Sequence, residues 1–170
     1  AMNMSSLDLS DFKADNGKVT IVSIASGAFA NSRYLKSVTL PSTITSISAN
    51  AFLNSSITSI SIPTTVTSIG TSAFQGSNLT SVIIPSSVKT ISNRAFQSCK
   101  NLTSVTINSG ATHINPYAFY NCTSLTKVSI PTTVTYIGDY AFANCSSLED
   151  ITIPDSVTTI ATGAFKDANK

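Results

Sequence analysis

The stretch 125–145, LTKVSIPTTVTYIGDYAFANC, contains the pattern that decides the fold. Residues 128–130 alternate apolar, polar and apolar side chains, as a strand with one buried face does. Pro131 lacks a backbone donor and therefore ends that strand. A second short strand is predicted at 134–137, and a turn then leads to the Ala-Phe pair that ends in Phe142.

The same unit recurs along the chain. An Ala-Phe pair appears seven times, and successive Phe residues are 22 or 23 positions apart, at Phe29, Phe52, Phe74, Phe96, Phe119, Phe142 and Phe165. A fixed period of this length indicates a solenoid, and it is too short for a propeller blade. One unit cannot enclose its own large apolar side chains, so stacked units must share a core. The repeat therefore predicts a β-rich solenoid with little helix.

Length and composition indicate one domain with a sizeable core, since the chain has 170 residues of which 42% are hydrophobic. We assign residues 1–17 to an N-terminal tail or cap, and residues 18–170 to a solenoid of one partial and six full repeats. The N-terminus has no basic region followed by an apolar stretch, so no secretory signal is recognised. No apolar run approaches a membrane span, so we predict no membrane insertion.

The two ends of a solenoid need polar caps. We expect the apolar edge of the final repeat to be uncovered. The protein would then continue beyond Lys170, or this end would pair end to end with another molecule.

Charged residues make up only 11% of the chain, which has one His and no Trp. No acidic residue lies between Asn16 and Gly138, so an active site in the middle of the coil would lack a carboxylate. We therefore predict no enzymatic activity, no cofactor and no metal site, and rank a hydrolase with a cryptic site lowest. The seven basic residues of that stretch fall on different columns of the repeat, so we predict no nucleic-acid binding.

The pattern L-x-x-V-x-I-P-x-x-V-x-x-I-G-x-x-A-F-x-x-C, seen at 125–145 and in most of its positions at 148–165, resembles the BspA-like branch of the leucine-rich repeat family. The resemblance covers residues 18–170. It implies a right-handed coil whose first strands form a concave parallel sheet. It also implies a surface or secreted protein that adheres to host proteins or to other cells.

The chain departs from ordinary leucine-rich repeats at the position eight residues after the first Leu, where those repeats have Asn or Cys. The residues there are Thr43, Thr65, Ser87, Gly110, Thr133 and Ser156, and all except Gly110 carry a hydroxyl. We expect the hydroxyls to satisfy backbone groups of the turn. We also expect a local irregularity at 108–111, where the Pro-x-x-Val pattern is broken.

The outward positions of the first strand are the main functional candidates. They come in pairs two residues apart, mostly hydroxyl-bearing and charged near the C-terminal end, namely Ser37 and Thr39, Ser59 and Ser61, Ser81 and Ile83, Ser104 and Thr106, Lys127 and Ser129, and Asp150 and Thr152. We predict a ligand-binding face for a protein or glycan of a host or neighbouring cell. Two alternatives stay open: a structural spacer or stalk without its own ligand, and a hydroxyl array that orders water.

Cysteine and histidine are the two further residue types that could carry chemistry. Cys99, Cys122 and Cys145 each follow a repeat Phe by three residues, so their Cβ atoms should point the same way, which disfavours a disulfide within the chain. We expect a column of semi-buried thiols without a redox or metal role, with an interchain disulfide as the alternative. His113, the one His, is expected to face solvent.

Overall fold

The computed structural model describes residues 4–10 and 19–168. These residues form short β-strands and turns and contain no helix. The strands that open the repeats are β1 (Ser6–Asp8), β3 (Ser37–Thr39), β5 (Ser59–Ile60), β7 (Ser81–Ile84), β9 (Ser104–Ile107), β11 (Lys127–Ser129) and β13 (Asp150–Ile151). The second strands are β2 (Ser23–Ile24), β4 (Ser46–Ile47), β6 (Ser68–Ile69), β8 (Thr90–Ile91), β10 (His113–Ile114), β12 (Tyr136–Ile137) and β14 (Thr159–Ile160).

All strand pairs are parallel, and each strand pairs with its equivalent in a neighbouring repeat. The first strands form the sheets β1-β3-β5 and β7-β9-β11-β13, and the second strands form β2-β4-β6 and β8-β10-β12-β14. The predicted solenoid of leucine-rich repeat type, with turns of about 23 residues, is therefore confirmed.

The repeat Phe residues form one continuous stack inside the coil. Neighbouring ring centroids are 5.1–5.3 Å apart, and each ring is nearly parallel to its neighbours from Phe29 to Phe165. The five central rings have no exposed surface. The strand residues that point inward line the other side of the same core. Stacking of successive turns thus buries what a single turn could not.

Two residues in each repeat adopt the left-handed backbone conformation, on either side of the Phe. The first column lies two residues before the Phe, at Gly27, Asn50, Ser72, Arg94, Tyr117, Tyr140 and Gly163. The second lies two residues after it, at Asn31, Asn54, Gly76, Ser98, Asn121, Asn144 and Asp167. These conformations turn the chain sharply around the Ala-Phe pair, and the Ala is fully buried in the inner repeats.

Backbone hydrogen bonds between repeats run in two opposite directions. In the loop that carries the Phe, amides donate to the following repeat, as Phe52 N does to Ala73 O at 2.7 Å. At the entry to the strands, amides donate to the preceding repeat, as Thr45 N does to Val22 O at 2.8 Å. The same alternation is repeated from turn to turn.

The hydroxyl column eight residues after the first Leu satisfies backbone groups, as predicted. Thr43 Oγ1 donates to Ile21 O at 2.6 Å, and Thr133 Oγ1 donates to Ala111 O at 2.7 Å. The expected irregularity at 108–111 is also present. Gly110 replaces the hydroxyl there and has a φ of 153°, and its amide donates to Thr133 Oγ1.

Residues 4–10 contribute a strand to the first ladder. β1 pairs with β3 and places Leu7 opposite Val38 and Asp8 opposite Thr39. Leu7 is half-buried against the core. The predicted boundary between residues 17 and 18 lies outside the described residues.

The edge of the last repeat is not covered by any of the described residues. Ile160 of β14 is 52% exposed, whereas its equivalent Ile137 is fully buried and Ile24 at the other end is 4% exposed. The expected uncovered edge is therefore seen. Continuation of the chain or end-to-end pairing stays a prediction.

Candidate functional site: the strand face

All twelve predicted residues lie on one surface, which we call the strand face: the outward side of the first strands and of the residues that follow them. Register pairs Ser81 with Ser104 and Lys127 with Asp150, and it pairs Ile83 with Thr106. Ten of the twelve are exposed, and Ser37 and Ser104 are half-buried between their neighbours. The face is therefore a regular array of side chains in two columns.

The sequence prediction missed two members of this face. Ser6 and Asp8 continue the two columns because β1 pairs in register with β3. The signal was available, since residues 6–9 (SLDL) alternate as residues 37–40 (SVTL) do. The 31-residue offset between the two segments, instead of 22 or 23, concealed it. Hydrogen bonds from the Ser10 hydroxyl and then from its amide lower the pKa of Asp8.

Hydroxyls on the strand face differ in their bonding from those beside it. The Thr column just before the strands is used by the fold, since Thr103 Oγ1 donates to Thr80 O and Thr126 Oγ1 donates to Thr103 O, both at 3.0 Å. The Ser and Thr side chains of the strand face make no side-chain hydrogen bond to any other described residue. Their donors and acceptors are therefore available to an external ligand.

The C-terminal end of the strand face carries charge. Lys127 Nζ lies 3.5 Å from Asp150 Oδ2, and both side chains are exposed. Such an exposed pair contributes at most about 1 kcal/mol to stability. A groove of about 700 Å³ runs beside the pair and is also lined by Thr152 and Asp155. The pair therefore serves as a surface feature more than as a stabilising contact.

The three thiols are more buried than expected. The expectation of semi-buried thiols is wrong, because Cys99, Cys122 and Cys145 have no exposed surface. All three are free. Burial is the main cause that raises the pKa of Cys99 to about 11 and of Cys145 to about 12, and it raises the pKa of Cys122 well above its usual value. A buried, protonated thiol is a weak nucleophile, and it is out of reach of a second chain.

His113 is exposed, as predicted. Its Nδ1 lies 2.9 Å from Thr112 Oγ1, and its ring lies 5.5 Å from that of Tyr136. Within 4–10 and 19–168, no three His, Cys, Asp or Glu side chains form a group that could hold a metal ion. The same residues include no helix long and apolar enough to cross a membrane.

The sequence prediction also missed a ladder of tyrosine rings, which lies on the side of the coil formed by the loops that carry the Phe residues. The rings of Tyr117 and Tyr140 stack 5.4 Å apart, and the guanidinium of Arg94 lies 5.6 Å from the Tyr117 ring centroid. All three residues have positive φ, which is rare for bulky side chains. Tyr140 packs against Gly163, where a Cβ would lie 2.6 Å from its ring. Stacking and cation–π contacts offset part of the backbone strain.

Comparison with solved structures identifies similar bacterial proteins. A leucine-rich repeat protein from Eubacterium ventriosum superposes with a TM-score of 0.85 at 30% identity, over 98% of this chain and 43% of that one. A leucine-rich cell surface protein from Faecalibacterium prausnitzii gives 0.54 at 27% identity, over 97% and 52%. The leucine-rich repeat protein of T. pallidum gives 0.72 at 24% identity, over 86% and 79%, a likeness of fold alone.

This chain thus spans about half, or less, of the length of the first two proteins. No curated protein sequence matches it. The family model for the BspA type leucine-rich repeat region matches residues 4–109 and 45–170, in six copies. Together with the repeat geometry described above, this match shows that the chain belongs to the BspA-type leucine-rich repeat family.

Proposed function

We propose that this chain is a non-enzymatic binding module of a cell-surface or secreted protein. Its strand face binds a protein or glycan of a host or of a neighbouring cell. The observation that carries the proposal is the set of exposed hydroxyls on this face that no described residue engages. Membership in a leucine-rich repeat family supports the role of an interaction module.

The physical reason for this proposal is the contrast between the hydroxyls just before the first strands and those on the strand face. A hydroxyl that donates to a backbone carbonyl of the preceding turn has a structural role, and Thr80, Thr103 and Thr126 have that role. A hydroxyl of the strand face points to water instead, and it makes no contact that stabilises the coil. Many such groups on a rigid sheet lose little conformational entropy when a ligand binds, because their backbone is already fixed.

A surface location is supported by the similarity to the leucine-rich cell surface protein from Faecalibacterium prausnitzii. The chemistry of the strand face supports a non-enzymatic role, since its side chains are hydroxyls, one isoleucine, one ion pair and the carboxylate of Asp8 at its N-terminal end. An unactivated hydroxyl needs an adjacent base to act as a nucleophile.

Binding to a panel of immobilised extracellular-matrix proteins and glycans tests the proposal. One variant combines Lys127→Asp with Asp150→Lys, which keeps the ion pair and reverses its direction. A second combines Ser59→Glu with Ser81→Glu, which places two like charges on the central face. Lys100→Glu, on an exposed loop away from the face, is the matched control.

We expect wild type and the Lys100→Glu control to bind at least one probe with equal affinity. At least one face variant should lose tenfold or more. If both face variants bind as wild type does, the strand face is not the binding surface. If no probe is bound, the spacer role is favoured, and the continuous Phe stack suits such a role because it holds the turns in one rigid column.

A further inference from the structure

Three large side chains lie one above the other on the Phe loops, away from the strand face. The guanidinium carbon of Arg94 is 5.6 Å from the Tyr117 ring centroid, and the Tyr117 and Tyr140 centroids are 5.4 Å apart. We call these three residues the Arg-Tyr ladder. Tyr120 meets Tyr117 nearly edge to face at 5.5 Å, and Asn144 Nδ2 donates to the Tyr120 hydroxyl at 3.1 Å. The aromatic rings are therefore held in place by other side chains of the chain.

The fold does not require large side chains at the positions of the ladder. Arg94, Tyr117 and Tyr140 have φ values of 56°, 60° and 53°, a conformation that bulky residues rarely adopt. In two other repeats the equivalent residue is Gly27 or Gly163, for which this conformation has no steric cost. Contacts within the ladder offset only part of the strain. Backbone strain of this kind is concentrated at functional sites, which directs attention to what the three side chains present to solvent.

The ladder leaves its charge and its ring edges accessible, because its ring faces are already in use. Arg94 of the preceding turn and Tyr140 of the following turn cover the two faces of Tyr117. Tyr140 in turn lies over Gly163, where a Cβ would be 2.6 Å from its ring. A nucleobase stacks on an aromatic face, as a saccharide ring does, so neither can stack on Tyr117. Ring edges carry the positive part of the aromatic quadrupole, so the accessible side of the ladder is electropositive.

The cation of the ladder has no acidic partner. Arg94 is exposed, and no carboxylate among the described residues forms an ion pair with it. The acidic residue on the Tyr140 turn is Asp139, two turns away from Arg94, and its Oδ1 accepts a hydrogen bond from the Thr162 amide at 3.1 Å. A guanidinium binds a carboxylate through two parallel hydrogen bonds. The Arg94 end of the ladder is therefore suited to a carboxylate supplied by another molecule.

A protein is the partner that fits this chemistry best. Tyrosine and arginine are enriched among the residues that contribute most to protein–protein binding. Rings that are already fixed by stacking lose little conformational entropy when a partner binds. A sulfated glycan carries charge along its whole length and binds clustered cations, whereas the ladder offers one guanidinium.

We propose that the Arg-Tyr ladder is a second interaction surface, which binds an acidic segment of a protein partner. A carboxylate of that segment pairs with Arg94, and the rest of the segment contacts the edges and hydroxyls of Tyr117 and Tyr120. The ladder lies on the Phe loops and shares no residue with the strand face. The proposal therefore does not depend on the function proposed above for that face.

Subtractive selection from a phage-displayed library of random linear 12-residue peptides tests the proposal. The ladder variant combines Arg94→Asn with Tyr117→Asn. Asn50 occupies the same position of its repeat with a φ of 58°, so Asn is a residue that this turn accepts. The library is first depleted on the ladder variant, which removes peptides that bind elsewhere on the coil, and is then selected on the wild type.

The matched control combines Arg33→Asn with Tyr34→Asn. It removes the same charge and the same kind of ring from an exposed loop outside the ladder. Circular dichroism and thermal unfolding establish that both double variants are folded before peptide affinities are measured. Immobilised heparin is the probe for the alternative ligand, a sulfated glycan.

We expect the selected peptides to share an Asp or Glu and to bind the wild type and the control with equal affinity. The ladder variant should bind them at least tenfold more weakly, and added salt should weaken wild-type binding because it screens exposed charges. An empty selection, peptides without an acidic residue, or equal binding to the ladder variant would each overturn the proposal. Heparin binding that only the ladder variant loses, without any selected acidic peptide, would overturn it in favour of a sulfated glycan.

Discussion

The thiol of Cys122 donates a hydrogen bond to the carbonyl oxygen of Phe96, 3.1 Å away in the preceding repeat. Cys99 and Cys145 make the same contact to Phe74 and Phe119. Each thiol thus links two turns inside the core, beside the Phe stack. The column of thiols serves the packing of the coil. Ionisation of a thiol would remove the proton that it donates and would place a charge in the apolar core.

Stability should therefore fall at alkaline pH. The pKa of these thiols is near 9 when the chain is unfolded, and burial raises it to about 11 for Cys99 and about 12 for Cys145. The unfolded state therefore loses these protons first, so the contribution is intact below pH 9 and is lost as pH rises from there. Each thiol adds a slope of up to about 1.4 kcal/mol per pH unit. Urea unfolding from pH 8 to 11 measures this slope. Cys145→Ala should show a shallower decline, and equal slopes would contradict the assignment.

Ser55→Ala should leave stability unchanged or raise it by up to about 1 kcal/mol. Ser55 is buried in the column that the thiols continue, and its hydroxyl has no partner among the described residues. Removing an unsatisfied buried group removes its desolvation penalty. Ser77→Ala is the matched control, because the Ser77 hydroxyl lies 3.4 Å from Cys99 Sγ. It should lower the unfolding free energy by about 0.5–1 kcal/mol in the same urea titration.

Gly110→Ala should destabilise the coil by more than about 2 kcal/mol. The left-handed φ of Gly110 disfavours any side chain, and a Cβ there would lie 2.0 Å from Ser86 O of the preceding turn. Gly27→Ala separates the two effects, since Gly27 has a φ of 66° but nothing within 4 Å of its Cβ position. That control should lose only about 1 kcal/mol. Similar losses for both variants in thermal unfolding would show that the close approach is unimportant.

The stability lost when one ring is removed from the stack should depend on the position of that ring. Phe96 is fully buried between Phe74 and Phe119, so Phe96→Ala should lower the unfolding free energy by about 3–5 kcal/mol. Phe165 is half-buried and, among the described residues, stacks on Phe142 alone, so Phe165→Ala should lose about half as much. Thermal unfolding followed by circular dichroism compares the two. A larger loss at Phe165 would contradict a core that is shared along the coil.

Much of the fold follows from the sequence because the period is a property of the chain itself. The Phe column and the alternation at 128–130 fix which residues point inward, and the strand-face residues follow from the positions between them. The left-handed columns had a signal too, in residues such as Gly27, Asn50 and Asn54. This signal is concealed at Arg94, Tyr117 and Tyr140. The turn imposes a positive φ on these residues, although their residue types do not favour it.

Other features depend on contacts that no single repeat encodes. β1 joins the ladder from outside the period, so its alternation at 6–9 has no counterpart at the usual spacing. The full burial of the thiols depends on how closely the next turn packs over them. Strand pairing is interrupted between β5 and β7 and between β6 and β8, although these repeats have ordinary strand patterns.

The two opposite directions of backbone hydrogen bonding have an electrostatic consequence for the molecule as a whole. The peptide dipoles of the Phe loops point one way along the coil axis, and those at the strand entries point the other way. An α-helix adds its dipoles in one direction and gains partial charges at its ends. In this coil the two sets largely cancel, so turns can be added without charge accumulating at either end.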